Sequence, residues 1–382
     1  MKHLVPATFS LLLVALMLSC NRPQPTRITS SGLDPRAFQQ RVGGKLTDLF
    51  VLRNANDAEA CITNYGGRIV SLSVPDARGQ LRDVVLGFDS LSEYTAGPSS
   101  FGATIGRFAN RISHGKFVLD GDTIRLDVNS GEHSIHGGKQ GWQYQVFEAS
   151  QLSDSTLSLS YVSPDGEGGF PGTVTVQVNF RLAHDNALHI EYQAETDRKT
   201  VINMTNHSFF NLSGDASRTV LDHVLYVRAS HFTPLTATSV PTGETWPVRG
   251  TPFDFTQPIA IGTAMQRDSL HEQLQGAHGF DHNFILDTQG DAKELAASLY
   301  SPSSGIRMEV FTNEPGLQVY TGNMLDGSRI GKGQIPLHKQ TAICLETQHF
   351  PDSPNRLDWP STVLEPGQRY RSLCTYRFSV VQ

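Results

Sequence analysis

A chain of 382 residues that is 38% hydrophobic and 18% charged can bury a sizeable core, which places it among globular proteins. Its 37 acidic residues outnumber 31 basic ones for a formal charge of -6, and no basic run stands ready to displace counterions, so nucleic acid is excluded as the expected partner. The 34 glycines and 20 prolines are scattered rather than clustered, the punctuation of many short elements joined by turns, and this favours an all-β chain.

The first twenty residues, MKHLVPATFSLLLVALMLSC, run from basic Lys2 through an apolar stretch, Leu11 to Leu18, to Ser19 and Cys20. The stretch is shorter than the roughly 20 residues a spanning helix needs, so residues 1–20 read as an export signal. A small residue directly before a cysteine resembles a bacterial lipoprotein signal, with Met17 standing where that pattern usually has Leu. That resemblance implies lipidation of Cys20 and an exported protein anchored to a bacterial membrane, periplasmic or cell-surface. Residues 21–37 lack periodicity and are rich in Pro, Ser, Thr and Arg, as a flexible tether is. The body is then 38–382, with no internal repeat or linker. Its three cysteines, Cys61, Cys344 and Cys374, cannot all pair and match no zinc spacing, so buried free thiols are expected.

Within the body the dominant signal is period-two alternation. Leu157, Leu159 and Tyr161 alternate with serines; Val174, Val176, Val178, Phe180 and Leu182 alternate with polar residues, and Leu188, Ile190 and Tyr192 resume the pattern after a turn at Asp185-Asn186. KFVLDGDTIRL marks a second hairpin, turning at Asp120-Gly121. Short helices are expected only near Ser90 to Tyr94 and Thr263 to Leu274. The expected architecture is a large antiparallel β-sandwich.

Polar residues set against this alternation are the candidates for chemistry. In EPGLQVYTGN, Leu317 and Val319 share one strand face, which leaves Gln318 and Tyr320 on the other; in AICLETQHF, Ile343 and Leu345 leave Glu346 opposite. In VINMTNHSFFNL, His207 shares a face with Thr205 and Phe209. Other polar positions have plainer readings. Asp76, Asp120 and Asp352 sit beside Gly or Pro and suit turns. His278, Asp281 and His282 lack a companion cluster, so no metal is expected. Arg107 and Arg111 suggest phosphate binding, but no glycine-rich phosphate loop accompanies them.

The blocks TNYGGRIVSLSVPD, GRFANRI, HSIHGG, YVSPDGEGGFPG, TNHSFFNL, PTGETWPVRGTPFDF, GFDHNFIL, EPGLQVYTGN and CLETQHFPDSPN follow one another from about Leu49 to the carboxy terminus. In content and order they resemble the signature blocks of the aldose 1-epimerases. The resemblance implies a β-sandwich with a shallow open cleft, no metal and no organic cofactor, and a free monosaccharide such as galactose or glucose as substrate, its α and β anomers interconverted. It also implies, position by position, Glu346 as general base and His207 as general acid. By the same resemblance, His136 is expected beside His207, with Asn110, Arg111, Asp281 and Gln318 gripping sugar hydroxyls. Tyr65, Phe209, Phe210 and Trp142 are candidates to stack on the sugar.

Anomer exchange needs such groups: a base takes the anomeric hydroxyl proton while an acid protonates the ring oxygen, and the ring opens, rotates and recloses. With ordinary pKa values of about 4.3 for Glu and about 6.5 for His, the pair is expected to start as carboxylate and imidazolium, with Asp281 holding His207 charged. Two other classes fit parts of the pattern: a glycoside hydrolase using Glu346 and Asp281, and a non-catalytic sugar-binding lipoprotein. No obligate protein partner is evident.

Overall fold

Strand Val174–Leu182 shows how the alternation becomes architecture: its valines, Phe180 and Leu182 are buried, while Thr175, Gln177 and Arg181 face solvent. Each such side chain moved out of water contributes about 1.5–3 kcal/mol, enough to fix which face turns inward. The computed structural model describes Met1 and residues 28–381. Residues 2–20 of the signal, with Cys20, and residues 21–27 lie outside the described residues, but 28–37, expected to be flexible tether, pack on the body: Leu33 is buried in an apolar cluster with Phe38, and Ser30 donates from its backbone N–H and its hydroxyl to Glu59 Oε1 at 2.7 and 2.8 Å. Among the described residues, no helix is long and apolar enough to cross a membrane.

Nine antiparallel strands form the largest sheet, with Tyr370–Val380, the last strand in the chain, inserted between Ala187–Thr196 and Ile306–Thr312. A five-stranded sheet includes Asp281–Leu286, Gly316–Tyr320 and Cys344–Gln348 side by side, and a four-stranded sheet carries Arg68–Pro75. One continuous core joins all three. Val176, Phe180 and Ile190 come from the first sheet, Phe284, Leu317, Val319 and Leu345 from the second, and Ile62, Ile69 and Leu72 from the third. This is the expected β-sandwich. A second apolar cluster, including Val70, Tyr94, Phe101, Phe209 and Cys344, fills the other side of the five-stranded sheet.

Both hairpins form as read. Leu119 pairs with Asp122 across Asp120-Gly121, whose φ values of 52° and 88° are the two left-handed positions that a tight two-residue hairpin requires. Leu182 pairs with Leu188, and Asn186 takes φ 58° in the connecting turn. Ser90 and Glu93 cap Leu91–Thr95 reciprocally. The second expected helix is two, Ile261–Arg267 and Glu272–Ala277, because Asp268 leaves helical geometry and His271 caps the second by accepting from the Gln273 N–H. Cys61, Cys344 and Cys374 are buried free thiols.

Candidate active site

Three neighbouring strands build the floor. Asn283 pairs with Gln318 and Gln318 with Glu346 in one row; Asp281, Tyr320 and Cys344 form the next. A strand alternates sides at every residue, so both rows project from the face opposite Leu317, Val319 and Leu345. Glu346, 2% exposed, leaves Oε2 without a protein partner. Gln318 donates from Nε2 to Asp281 Oδ1 at 2.7 Å. The floor opens into a cavity of about 400 Å³, lined among others by Asn110, Arg111, His136, His207, Asp281 and Glu346. Gln318 stands behind Asp281 rather than at the cavity wall.

His207 comes from Thr205–His207, a short strand paired with Ala103–Ile105 and packed beside the Glu346 strand. Its polar neighbours in sequence have structural work: Asn203 binds the His349 and Ala109 carbonyls, Asn206 the Gly102 carbonyl, and Asn211 those of Asp215, Arg218 and Thr341. Of the polar residues in this stretch, the histidine alone turns to the cavity, with Phe209 beside it in the wall. Its Nε2 lies 3.7 Å from Glu346 Oε1, and its Nδ1 lies 3.5 Å from Cys344 Sγ. Phe209 stacks on it with ring centroids 5.0 Å apart, and Phe101 stacks on Phe209 at 4.2 Å.

Asn110 and His136 both adopt left-handed backbone, φ 62° and 53°, a conformation that costs a non-glycine residue about 1–3 kcal/mol unless its surroundings enforce it. Here each enforces the other: the His136 N–H donates to the Asn110 carbonyl, and the Asn110 N–H donates to His136 Nδ1, both at 3.2 Å. Arg111 pairs with Ile135 on the same ribbon. With Nδ1 engaged as an acceptor, a neutral His136 carries its proton on Nε2. Burial, then the His207 and Arg111 charges, hold His136 well below its ordinary pKa, so it is neutral.

Burial also dominates the central pair, in opposite directions. It pushes Glu346 well above the usual carboxylate range, with Asp281 adding to the rise, and pushes His207 down to about 4. The ordinary order of protonation is therefore reversed, which corrects the sequence expectation. Nor does Asp281 hold His207 charged: its carboxylate binds Gln318 and bears on Glu346, while the charge bearing on His207 is that of Arg68, which opposes protonation.

Several other candidates have different places. Tyr65, Phe210 and Trp142 pack in the core, leaving Phe209 as the wall aromatic among the four. Arg107 is buried and spends its guanidinium on Pro171, Gly172, Thr200 and Ser163, so it holds loops together and binds no phosphate. His282 faces the core and meets Gln273, and His278 caps a helix, so neither converges with Asp281. His207, Cys344 and Glu346 do lie close together, but different imidazole nitrogens face the thiol and the carboxylate, and one ring gives a single ion only one of them. Asp76 accepts the Arg78 and Gln80 N–H groups within its turn, as read, while Asp352, also at a turn, accepts the N–H of the distant Ser113 and so ties two segments together. Tyr320 lines the cavity, as its parity with Gln318 leads one to expect, whereas the sequence reading does not assign Phe101 or Cys344 to the site. The alternation that found Glu346 also marks Cys344, two residues earlier; no pattern marks Phe101, which lies in a loop.

Comparison with known proteins bears directly on this cleft. The aldose 1-epimerase family model matches residues 48–377. The chain belongs to the aldose 1-epimerase family. Among its relatives, the galactose mutarotase of Sus scrofa is 40% identical over 319 residues, covering 84% of this chain and 90% of that one. The aldose 1-epimerase of Escherichia coli strain K12 is 34% identical over 332 residues, covering 86% and 94%. An aldose epimerase homologue from C. elegans superimposes with a TM-score of 0.81 at 28% identity, covering 88% of this chain and all of that one.

Proposed function

We propose that the protein interconverts the α and β anomers of free aldoses such as galactose and glucose, with Glu346 as base and His207 as acid. The observation that carries this is the facing of Glu346 and His207 Nε2 across 3.7 Å at the bottom of a polar cavity in an aldose 1-epimerase family member. A pyranose seated there presents its anomeric hydroxyl to the unpartnered Oε2 of Glu346 and its ring oxygen to His207 Nε2. The carboxylate takes the hydroxyl proton, the C1–O1 bond gains double-bond character and the C1–O5 bond breaks. Its electron pair leaves on O5, which takes the imidazolium proton. After half a turn about C1–C2 the steps run in reverse with the other face of the aldehyde, and no proton is gained or lost.

Burial tunes both partners. A carboxylate with a raised pKa is a stronger base than one in water, and an imidazolium with a lowered pKa is a stronger acid. Over the range between the two values the pair holds one proton, and the productive placement on His207 is a constant fraction of it. Arg111, Asn110, Asp281 and the Nε2–H of His136 supply donors and acceptors around the sugar hydroxyls, and Phe209 and Tyr320 close the wall. Gln318 acts through Asp281, orienting its carboxylate.

Polarimetry of freshly dissolved α-galactose and α-glucose with purified protein tests this reading. Acceleration of the optical-rotation change is expected. Sugar binding without acceleration means a binding lipoprotein, and release of monosaccharide from a disaccharide means a hydrolase.

We also propose that residues 1–20 are a lipoprotein signal and that lipidated Cys20 anchors the protein to a bacterial membrane outside the cytoplasm, with any tether confined to the residues before 28, since Ser30 and Leu33 are already bonded to and buried in the body. The support is the order of basic residue, apolar stretch, Ser19 and Cys20. Cys20→Ala is expected to move the protein from membrane to soluble fractions; identical fractionation of both forms removes the anchor.

A further inference from the structure

Immediately before strand Arg68–Pro75, the segment Tyr65-Gly66-Gly67 makes a turn that only glycines suit. Gly66 and Gly67 take φ of 70° and 51°, and a β-carbon at Gly66 would come 2.5 Å from the Gln143 carbonyl oxygen and 3.0 Å from Arg68 Nε. The turn delivers Arg68 inward, where its side chain is wholly buried. Buried arginines are ordinarily paired with a carboxylate. Arg68 instead donates to three neutral carbonyls: Nη1 to Phe101 at 2.9 Å, and Nη2 to Ser99 at 2.9 Å and Gln143 at 2.6 Å. The Tyr65 and Tyr94 rings cover it, 5.4 and 5.1 Å away. Among the described residues no carboxylate bonds it, and the neighbours that favour its charged form are tyrosines.

Two of those three carbonyls belong to the cavity wall. Ser99 and Phe101 line the cleft, Phe101 stacks on Phe209, and Phe209 stacks on His207. The guanidinium thus grips the far end of a stack whose near end is the acid. We propose that Arg68 is a positioning residue of the cleft, clamping the Ser99–Phe101 wall and keeping a standing positive charge behind His207. The inference rests on the reading of His207 as the acid. A permanent nearby cation makes imidazolium less stable and therefore a readier proton donor to the ring oxygen. The other groups facing His207 are Glu346 at 3.7 Å, Cys344 at 3.5 Å, His136 with ring centroids 5.2 Å apart and Tyr320 at 6.3 Å; Asp281 lies beyond Glu346. Of these, Glu346 is the nearest carboxyl group, and Arg68 is the fixed charge that opposes protonation of His207.

Two substitutions separate clamp from charge. Arg68→Met keeps an unbranched stem and removes both. It is expected to lower kcat/KM by about tenfold through the loosened wall and to move the acid limb of the pH-rate profile upward by about half a unit or more. Arg68→Lys keeps the charge but cannot span three carbonyls, so the rate falls while the acid limb stays near its wild-type position. An NMR titration of His207 in both variants follows the same shift without turnover. An unmoved limb and an unmoved His207 titration in Arg68→Met overturn the charge role, and wild-type kcat and KM in Arg68→Lys overturn the clamp. If Arg68→Met does not fold, Arg68→Lys alone decides the clamp, and with it the proposal. Full activity in His207→Asn instead overturns the reading of the acid beneath it.

Discussion

On the strands Asp281–Leu286, Gly316–Tyr320 and Cys344–Gln348, a single residue step separates two faces with opposite physics. Phe284, Leu317, Val319 and Leu345 point into the main core and have every incentive to stay dry. Asp281, Asn283, Gln318 and Glu346 point the other way, and Asn283, Gln318 and Glu346 all retain buried polar atoms without a protein partner. An unsatisfied buried polar atom costs about 1–3 kcal/mol, so that face is held in place by the packing of its reverse side. Two of the buried histidines, His282 and His207, sharpen the contrast. His282, on the core face, is depressed to about 3 by burial and has its Nε2 bonded to Gln273 at 3.1 Å among Phe232 and Phe253. His207 is depressed to about 4 by the same cause, but its Nε2 faces a carboxylate across an open cavity. A shifted pKa therefore does not by itself identify a site; what the group faces does.

The largest expected effect comes from disarming the cleft face alone. Glu346→Gln keeps size and hydrogen bonding but cannot accept a proton, and we expect kcat to fall by roughly 10³- to 10⁴-fold with galactose affinity and melting temperature retained. Near-normal polarimetric turnover would move the base to Asp281. His207→Asn is expected to cost roughly 10²- to 10³-fold in kcat, with much smaller change in sugar affinity. Parallel loss of binding, turnover and stability would instead make this histidine a packing residue like His282.

On the reverse side, the order of effects inverts. Leu345→Ala removes a fully buried side chain one residue from the base and is expected to cost about 2–5 kcal/mol of stability. Below its lowered melting temperature, kcat should stay within about threefold of wild type, because the strand still projects Glu346 into the cleft. A kcat loss rivalling that of Glu346→Gln at temperatures where Leu345→Ala remains folded would show that the two faces are not separable.

Much of this was legible in the sequence because it depends on parity and local turn chemistry. The alternation of Leu317, Val319 and Leu345 places Gln318 and Glu346 on the other face without any knowledge of which strands pair, and Asp120-Gly121 fixes its hairpin alone. The block resemblance located Asn110, Arg111, His136 and Asp281. Their mutual geometry was not legible, since the contact between Asn110 and His136 spans 26 residues and depends on two left-handed backbones. Electrostatics was misread for a related reason. Reference pKa values assume water, and nothing in the string reports that His207 and Glu346 both lie out of it. Arg68 escaped notice because a charge at that position reads as a surface residue until the Gly66-Gly67 turn is seen to send it inward.

The smallest expected effect tests that electrostatic correction. With His207 lowered to about 4 and Glu346 raised, the rate should fall at low pH as the pair takes up a second proton on His207, and at high pH as it loses the last proton from Glu346. This assigns the limbs in the reverse of the order that unperturbed side chains give, so Glu346→Gln should abolish the alkaline limb in any residual activity. Asp281 contributes to the rise of Glu346, since a neighbouring negative charge disfavours ionisation. Asp281→Asn keeps an oxygen to accept from Gln318 Nε2 and removes that charge. Glu346 then ionises more easily, and the alkaline limb should move to lower pH. The acid limb belongs to His207, whose pKa is set by burial and by Arg68, so it should stay where it is. A profile of Asp281→Asn in which the acid limb moves and the alkaline limb does not would restore the unperturbed order, with Asp281 acting on His207 after all.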